Sequence, residues 1–305
     1  MTSSSPPSAG SPPTEPPASE QGMILVNVLM FVAIASGLVL LMINREELAL
    51  DRALRVSEAA RAMAVVRGGE GSAISALQRD LAAGADVDHR GEPWAAIAET
   101  GVSIDGGTFD LAVSDAEGRF NLNNLMSGDV IETIRFQDIG KAAGLTEDQI
   151  VQAIGLVRTY GPITDVRPLR QAQIDPATLT RLEAMVTALP GRTTINANAV
   201  SPELLSVLLN NPDIASRMIA LREGDGQLSV DDVAAAGASL PTGVGLNSST
   251  FWVRTRVRIG DTVQQGATLL KRRRDGPEQT PIVRAVARWR GASLPPGVPE
   301  FPPPR

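Results

Sequence analysis

Met23–Ile43 reads MILVNVLMFVAIASGLVLLMI, twenty-one residues without a formal charge, interrupted only by Asn27, Ser36 and Gly37. At 1.5 Å per residue such a helix is about 30 Å long, which matches the hydrocarbon thickness of a bilayer. Apolar side chains on every face would need a large protein around them to form a core helix, so the stretch reads as a membrane span. A secretory signal peptide fits less well. The preceding residues carry Glu15 and Glu20 with no Lys or Arg, and the stretch runs into Asn44-Arg45-Glu46-Glu47 rather than a small-residue cleavage site. Arg45, Arg52 and Arg55 follow the span and by a positive-inside count would hold the C-terminal bulk in the cytoplasm, although acidic residues are interleaved with them.

Outward from this stretch the chain changes character twice. Residues 1–22 form a leader with six prolines and six serines in its first twenty positions, too polar to repay the entropy of ordering, and are expected to be disordered. On the other side, EELALDRALRVSEAARAMAVV (Glu46–Val66) keeps strong helix formers with an amphipathic pattern, and Gly68-Gly69 is expected to end the helix. The predicted helix therefore spans 23–67.

The 305 residues hold 28 Lys plus Arg against 34 Asp plus Glu, with no cysteine and the single histidine His89. Absence of cysteine excludes disulfides, thiolate nucleophiles and cysteine-ligated metal. One histidine cannot build a multi-histidine metal site. The net charge of -6 is mixed through the chain and gives no general reason to hold nucleic acid.

A glycine (Gly22) immediately before Met23, an apolar helix, its amphipathic continuation and a globular C-terminal body together resemble type IV pilins and type II secretion pseudopilins. Two internal segments narrow the resemblance to the K-type minor pseudopilins: DAEGRFNLNNL (Asp115–Leu125) and LPGRTTINANA (Leu189–Ala199), the latter followed by Ser201-Pro202-Glu203-Leu204-Leu205. The resemblance covers about 22–290. It implies cleavage after Gly22 by a prepilin peptidase, methylation of Met23, and a place at the tip of the pseudopilus. Most members of the superfamily carry glutamate at the fifth mature position, whereas this chain has Asn27, as K-type subunits lack that acid. The acidic, proline-rich leader departs from the family pattern of a short leader with a basic residue.

The residues themselves agree with structural work. In Gly107–Asp115 the side chains of Phe109, Leu111 and Val113 alternate with polar or small ones, giving a strand with one apolar side. The asparagines after Phe120 suit a strand leading into a tight loop. Phe251, Val253, Val257 and Ile259 oppose Trp252, Arg254, Arg256 and Arg258. Val283, Ala285, Ala287 and Trp289 oppose Arg284, Arg288 and Arg290, with Leu269-Leu270 in a strand between and an Asp275-Gly276 turn. The arginine faces read as the solvated side of a sheet.

Between these strands five helix starts recur: Thr146 with Gln149, Asp175-Pro176, Ser201-Pro202, Asn211-Pro212, and Ser229 with Asp232. Leu179, Leu182, Met185, Val186 and Leu189, and then Leu204, Leu205, Leu208 and Leu209, supply a separate core. TTINANAVSPELLSVL is similar to the opening of a helix-hairpin-helix module. Leu208-Leu209-Asn210-Asn211-Pro212 lacks the hairpin glycine, and Glu203 and Asp213 would repel a phosphate. Gly226 set on the glycine of a calcium loop brings Glu223, Asp225 and Asp232 near ligand positions. Leu221 at the first position and Asp at the last argue for a helix cap instead, and calcium stays a possibility that the family raises.

The predicted fold is α+β: a pilin-like long N-terminal helix on an antiparallel sheet, with a large all-α insertion. Its parts are the leader 1–22, the transmembrane and amphipathic helix 23–67, the first part of the head 68–126, the helical insertion 127–245, the remaining strands 246–292 and a disordered proline-rich tail 293–305. The resemblance implies a non-enzymatic minor pseudopilin. It would be a single-pass inner-membrane protein with a periplasmic head, partnered by other minor pseudopilins, the prepilin peptidase, the inner-membrane assembly platform and lipid, with no nucleic acid. The rival readings are a membrane-anchored periplasmic hydrolase using Asp110, Asp115 or Glu117, and a generic binding module.

Overall fold

The computed structural model describes residues 18–84, 87–273, 280–291, 294–295 and 297–303. The expectation for the leader before residue 18 and the Asp275-Gly276 turn lie outside these residues. In chain order the elements are α1 (Ala18–Ala83), α2 (Pro93–Ala96), β1 (Glu99–Ile104), β2 (Gly107–Asp115), β3 (Phe120–Asn121), a 3-10 turn Leu122–Ser127, α3 (Val130–Ala143), α4 (Glu147–Tyr160), a 3-10 turn Arg167–Ala172, α5 (Pro176–Met185), β4 (Val186–Thr187), β5 (Ile195–Asn196), α6 (Pro202–Leu209), α7 (Pro212–Asp225), α8 (Val230–Ala235), β6 (Val244–Gly245), β7 (Thr250–Ile259), β8 (Thr262–Arg273) and β9 (Ile282–Arg290). The chain divides into two compact units, Met1–Ser57 and Glu58–Arg305.

In the first unit, α1 is exposed on every side from Met23 to Ser57. It starts earlier than the leader boundary suggested, since Ala18–Gly22 are already helical.

In the second unit the same helix runs past Gly68-Gly69 to Ala83, which corrects the expected stop near residue 67. Glycine in a helix interior costs about 1 kcal/mol relative to alanine, so tertiary packing has to hold these turns. Gly69 shows how: a Cβ added there would lie 2.8 Å from Thr255 Cγ2 and 3.0 Å from the Phe109 ring, so the missing side chain lets helix and sheet touch. One residue on, Glu70 accepts from Arg288 Nη2 at 2.5 Å and from Thr268 Oγ1 at 2.9 Å.

The main sheet has the order β1-β2-β7-β8-β9, antiparallel throughout. β2 and β7 are neighbours in register from Gly107↔Ile259 to Asp115↔Phe251, although residues 116–249 separate them in sequence. The predicted apolar face is the buried one: Leu111, Val113, Phe251 and Val253 pack with Ala73, Ala76, Leu77 and Trp94, and Val257 and Ile259 pack with Ala62. The strand β1 was not foreseen. The run 120–125 does not join this sheet; β3 pairs in parallel with β4, and the next residues form a 3-10 turn.

On the opposite face two expectations are corrected, the alternation of β9 and the disorder of the tail. A register shift between Leu269 and Leu270 opposes them to Ala287 and Ala285, so the extra residue Val286 reverses the alternation. Val283 and Ala285 stay with the helix-side core, while Ala287 and Trp289 join Trp252 on the far side, the two indoles 5.1 Å apart. The arginine face of β7 stays largely solvated, with Arg256 and Arg258 exposed, but the described part of the tail that was expected to be disordered lies against its Arg254 end. Arg254 Nη1 donates to Pro299 O at 3.0 Å, Thr100 Oγ1 donates to Pro302 O at 2.7 Å, and Arg254 and Arg256 both lie over the Phe301 ring.

All five predicted helix starts are present. Thr146 and Gln149 form a reciprocal capping box, as do Ser229 and Asp232, while Asp175, Ser201 and Asn211 accept from the first-turn amides of α5, α6 and α7. Asp129 caps α3 in the same way without having been singled out. The helical region has its own core around Phe120, Leu122, Leu125, Phe136, Ile139, Ile150, Leu169, Leu182, Leu204 and Leu205, with Leu208 and Leu209 half-buried against it. Leu189 instead joins Trp252 and Leu269 beneath the sheet.

Candidate functional site

Asparagines from both signature segments are placed where α+β head and helical region meet, and their amides act as substitutes for backbone. Asn121 donates to Gly191 O at 2.8 Å and accepts from Leu189 N at 3.0 Å. Asn123 donates to Ile163 O at 2.9 Å and Leu189 O at 2.8 Å while accepting from Ile163 N at 2.9 Å. Asn124 exchanges both bonds with Thr193. Asn196 donates to Asp88 O and Asp115 Oδ2, and Asn198 exchanges both bonds with Leu228. A carboxamide carries a donor and an acceptor on one planar group, so it can pair an irregular loop segment as a strand would. Gly118 lets the two segments approach, since a Cβ there would lie 2.5 Å from Ala199 O.

The carboxylates beside this junction are engaged. Asp110 accepts from Arg256 Nε at 2.6 Å and Gly101 N at 2.7 Å. Asp115 accepts from Glu117 N, Asn196 Nδ2 and Ser248 Oγ, and burial pushes its carboxyl up to about 6 despite those bonds. Glu117 accepts from Ser249 Oγ at 2.7 Å and is raised by burial as well. His89 accepts from Gly91 N through Nδ1 at 3.2 Å.

A second buried cluster was not legible in the sequence. Asp80, Asp88 and Glu92 converge closely enough to resemble a metal site, but Arg272 stands among them. Its Nη1 donates to Asp80 at 2.6 Å, its Nη2 to Asp88, and its Nε to Ser248 O at 3.0 Å, while the guanidinium lies 4.7 Å over the Phe251 ring. Glu92 Oε2 accepts from Trp94 Nε1 and His89 N. The cation that Asp80 and Asp88 hold is a side chain, which ties the end of α1 to β8. Breaking such a buried set by removing one partner leaves an uncompensated charge.

Of the residues singled out from the sequence, Gly22 and Met23 lie inside α1, and Met23 and Asn27 are exposed on it. The calcium candidates are not gathered: Glu223 and Asp225 are exposed at the end of α7, and Asp232 spends one carboxylate oxygen on Ser229 N at 2.7 Å and Ser229 Oγ at 2.6 Å.

A long helix, apolar and then amphipathic, packed by its second part on an antiparallel sheet that is interrupted in sequence by a helical region, defines a pilin-like fold of the α+β class. No protein-family model matches the chain. It is 25% identical over 315 aligned residues to type II secretion system protein K of Pseudomonas aeruginosa, covering 89% of this chain and 93% of that protein. Among solved structures, a chain of the GspK-GspI-GspJ complex from the type 2 secretion system of enterotoxigenic Escherichia coli matches with a TM-score of 0.63 at 18% identity, over 79% of this chain and all of that one. The recognition made from Gly22-Met23 and the two signature segments is borne out: the chain resembles the K-type minor pseudopilins along most of its length, in sequence and in fold.

Proposed function

We infer that the protein is a minor pseudopilin of the type II secretion system, a structural subunit and not an enzyme. The observation that carries this reading is the joint likeness in sequence and fold, together with an N-terminal helix that is free of charge and exposed from Met23 to Ile43. In this reading residues 23–43 anchor the subunit once in the inner membrane and the head faces the periplasm. The prepilin peptidase releases the leader at Gly22, and the mature subunit joins other minor pseudopilins at the tip of the fibre with the help of the assembly platform. The relative of known structure is solved in complex with GspI and GspJ, which supports partners of that kind. The hydrolase rival is weakened because Asp110, Asp115 and Glu117 are each held by at least two donors of the fold itself. Asn27 fits a tip position, where a carboxylate would have no charged partner above it and would be costly in lipid.

The test is the mature N-terminus. Mass spectrometry of the membrane fraction should find a chain starting at Met23, and Gly22→Ala should abolish it. An intact leader on protein that supports secretion would overturn the assignment.

A further inference from the structure

A cleft of about 400 Å³ beside the junction is lined by Arg90, Arg119 and Arg222, with Gly118, Ala199 and Gly226 contributing backbone, and its lining contains no Asp or Glu among the described residues. Arg222 is fixed in the wall by Nη1, which donates to Ala197 O at 3.0 Å and Val200 O at 2.8 Å. Burial lowers its pKa, and the neighbouring charge of Arg90 lowers it further against the opposing effect of Glu223. Arg119 is half-buried at the shared rim of this cleft and a second one of about 640 Å³, and among the described residues no carboxylate or carbonyl takes its guanidinium. Its pKa lies below the usual arginine range through burial alone.

Three cations around one concavity, one of them half-buried with no acceptor from the fold among the described residues, repel one another, and an anion between them relieves that repulsion. Guanidinium groups hold carboxylates and phosphates through paired N–H donors. We propose that the cleft bounded by Arg90, Arg119 and Arg222 binds an oxyanion. The continuation into the larger cavity, past Trp252 and Pro299, gives room for the chain that carries it, which favours a carboxylate presented on a polypeptide over a free anion. This inference is independent of the secretion role.

Titration of the full-length protein in detergent with N-acetylated tetraglutamate and with inorganic phosphate, at ionic strength held constant with chloride, tests it. Saturable one-to-one binding of the peptide is expected, weakened about tenfold or more in Arg119→Met, which keeps the stem, and in Arg90→Gln, at an exposed position. Saturation by phosphate with the same arginine dependence, and none by the peptide, would keep the oxyanion site and identify a free anion as its ligand. Absence of saturable binding of either probe up to about 10 mM, or binding that both variants leave unchanged, overturns the proposal.

Discussion

Asn123 makes three hydrogen bonds with one side chain, two of them donated to carbonyls of segments forty and sixty-six positions away. Asn123→Asp turns both donations into oxygen facing oxygen and should cost about 3 kcal/mol or more, beyond the roughly 2 kcal/mol expected of Asn123→Ala, when thermal unfolding of the two variants is compared. Asp115 sets a pH dependence. Its carboxyl is raised from 3.8 to about 6, chiefly by burial, so between those values the folded chain holds its proton more firmly than the unfolded one. The stability from this group is therefore complete below about pH 4 and falls as pH rises through 6. Relative to Asp115→Asn, the wild type should lose up to about 3 kcal/mol between pH 4 and pH 7. A difference between the two proteins that stays constant with pH would contradict the assignment. Glu70 and Asp165, lowered by Arg288 and Arg167, work in the opposite sense, and the comparison with Asp115→Asn cancels them.

At the scale of elements, α1 carries three glycines in four positions, and they are not equivalent. A methyl added at Gly68 or Gly71 would meet nothing within 4 Å, whereas one at Gly69 would press on Thr255 and Phe109. Gly68→Ala and Gly71→Ala should each stabilise the isolated protein by up to about 1 kcal/mol, and Gly69→Ala should destabilise it. Three melting curves decide the matter; a stabilising Gly69→Ala would mean that the helix does not rest on the sheet there. The five caps were readable because a cap is local, a side chain and an amide two or three residues away. The helix stop was misread for the same reason. A Gly-Gly pair is a local signal, while the surface that holds these turns comes from β2 and β7.

At the scale of the molecule, the apolar clusters among the described residues lie between Ala62 and Val298, within the second compact unit. A chain of Glu58–Arg305 should therefore be soluble and unfold cooperatively without detergent, as circular dichroism during heating would show; aggregation or a non-cooperative melt would count against an autonomous head. The arrangement in which the sheet is opened after β2 and closed by β7 keeps two cores in one chain. The asparagine junction joins them without adding apolar surface.

The sequence by itself determined the exposed apolar helix, the helix caps, the face of β2 and β7 that is buried, and the class of fold, because each depends on the spacing of side chains along a short stretch. The resemblance to the K-type minor pseudopilins was legible from motifs whose asparagines are spread over two separate segments. Only the tertiary structure decided that α1 continues to Ala83, that Val286 reverses the faces of β9, that Phe301 stacks on Arg254 and Arg256 of β7, and that Arg272 is held between Asp80 and Asp88. Each of these joins residues far apart in the chain, where the energy of burial or of pairing a buried charge overrides the local preference of glycine, of strand alternation or of a proline-rich tail.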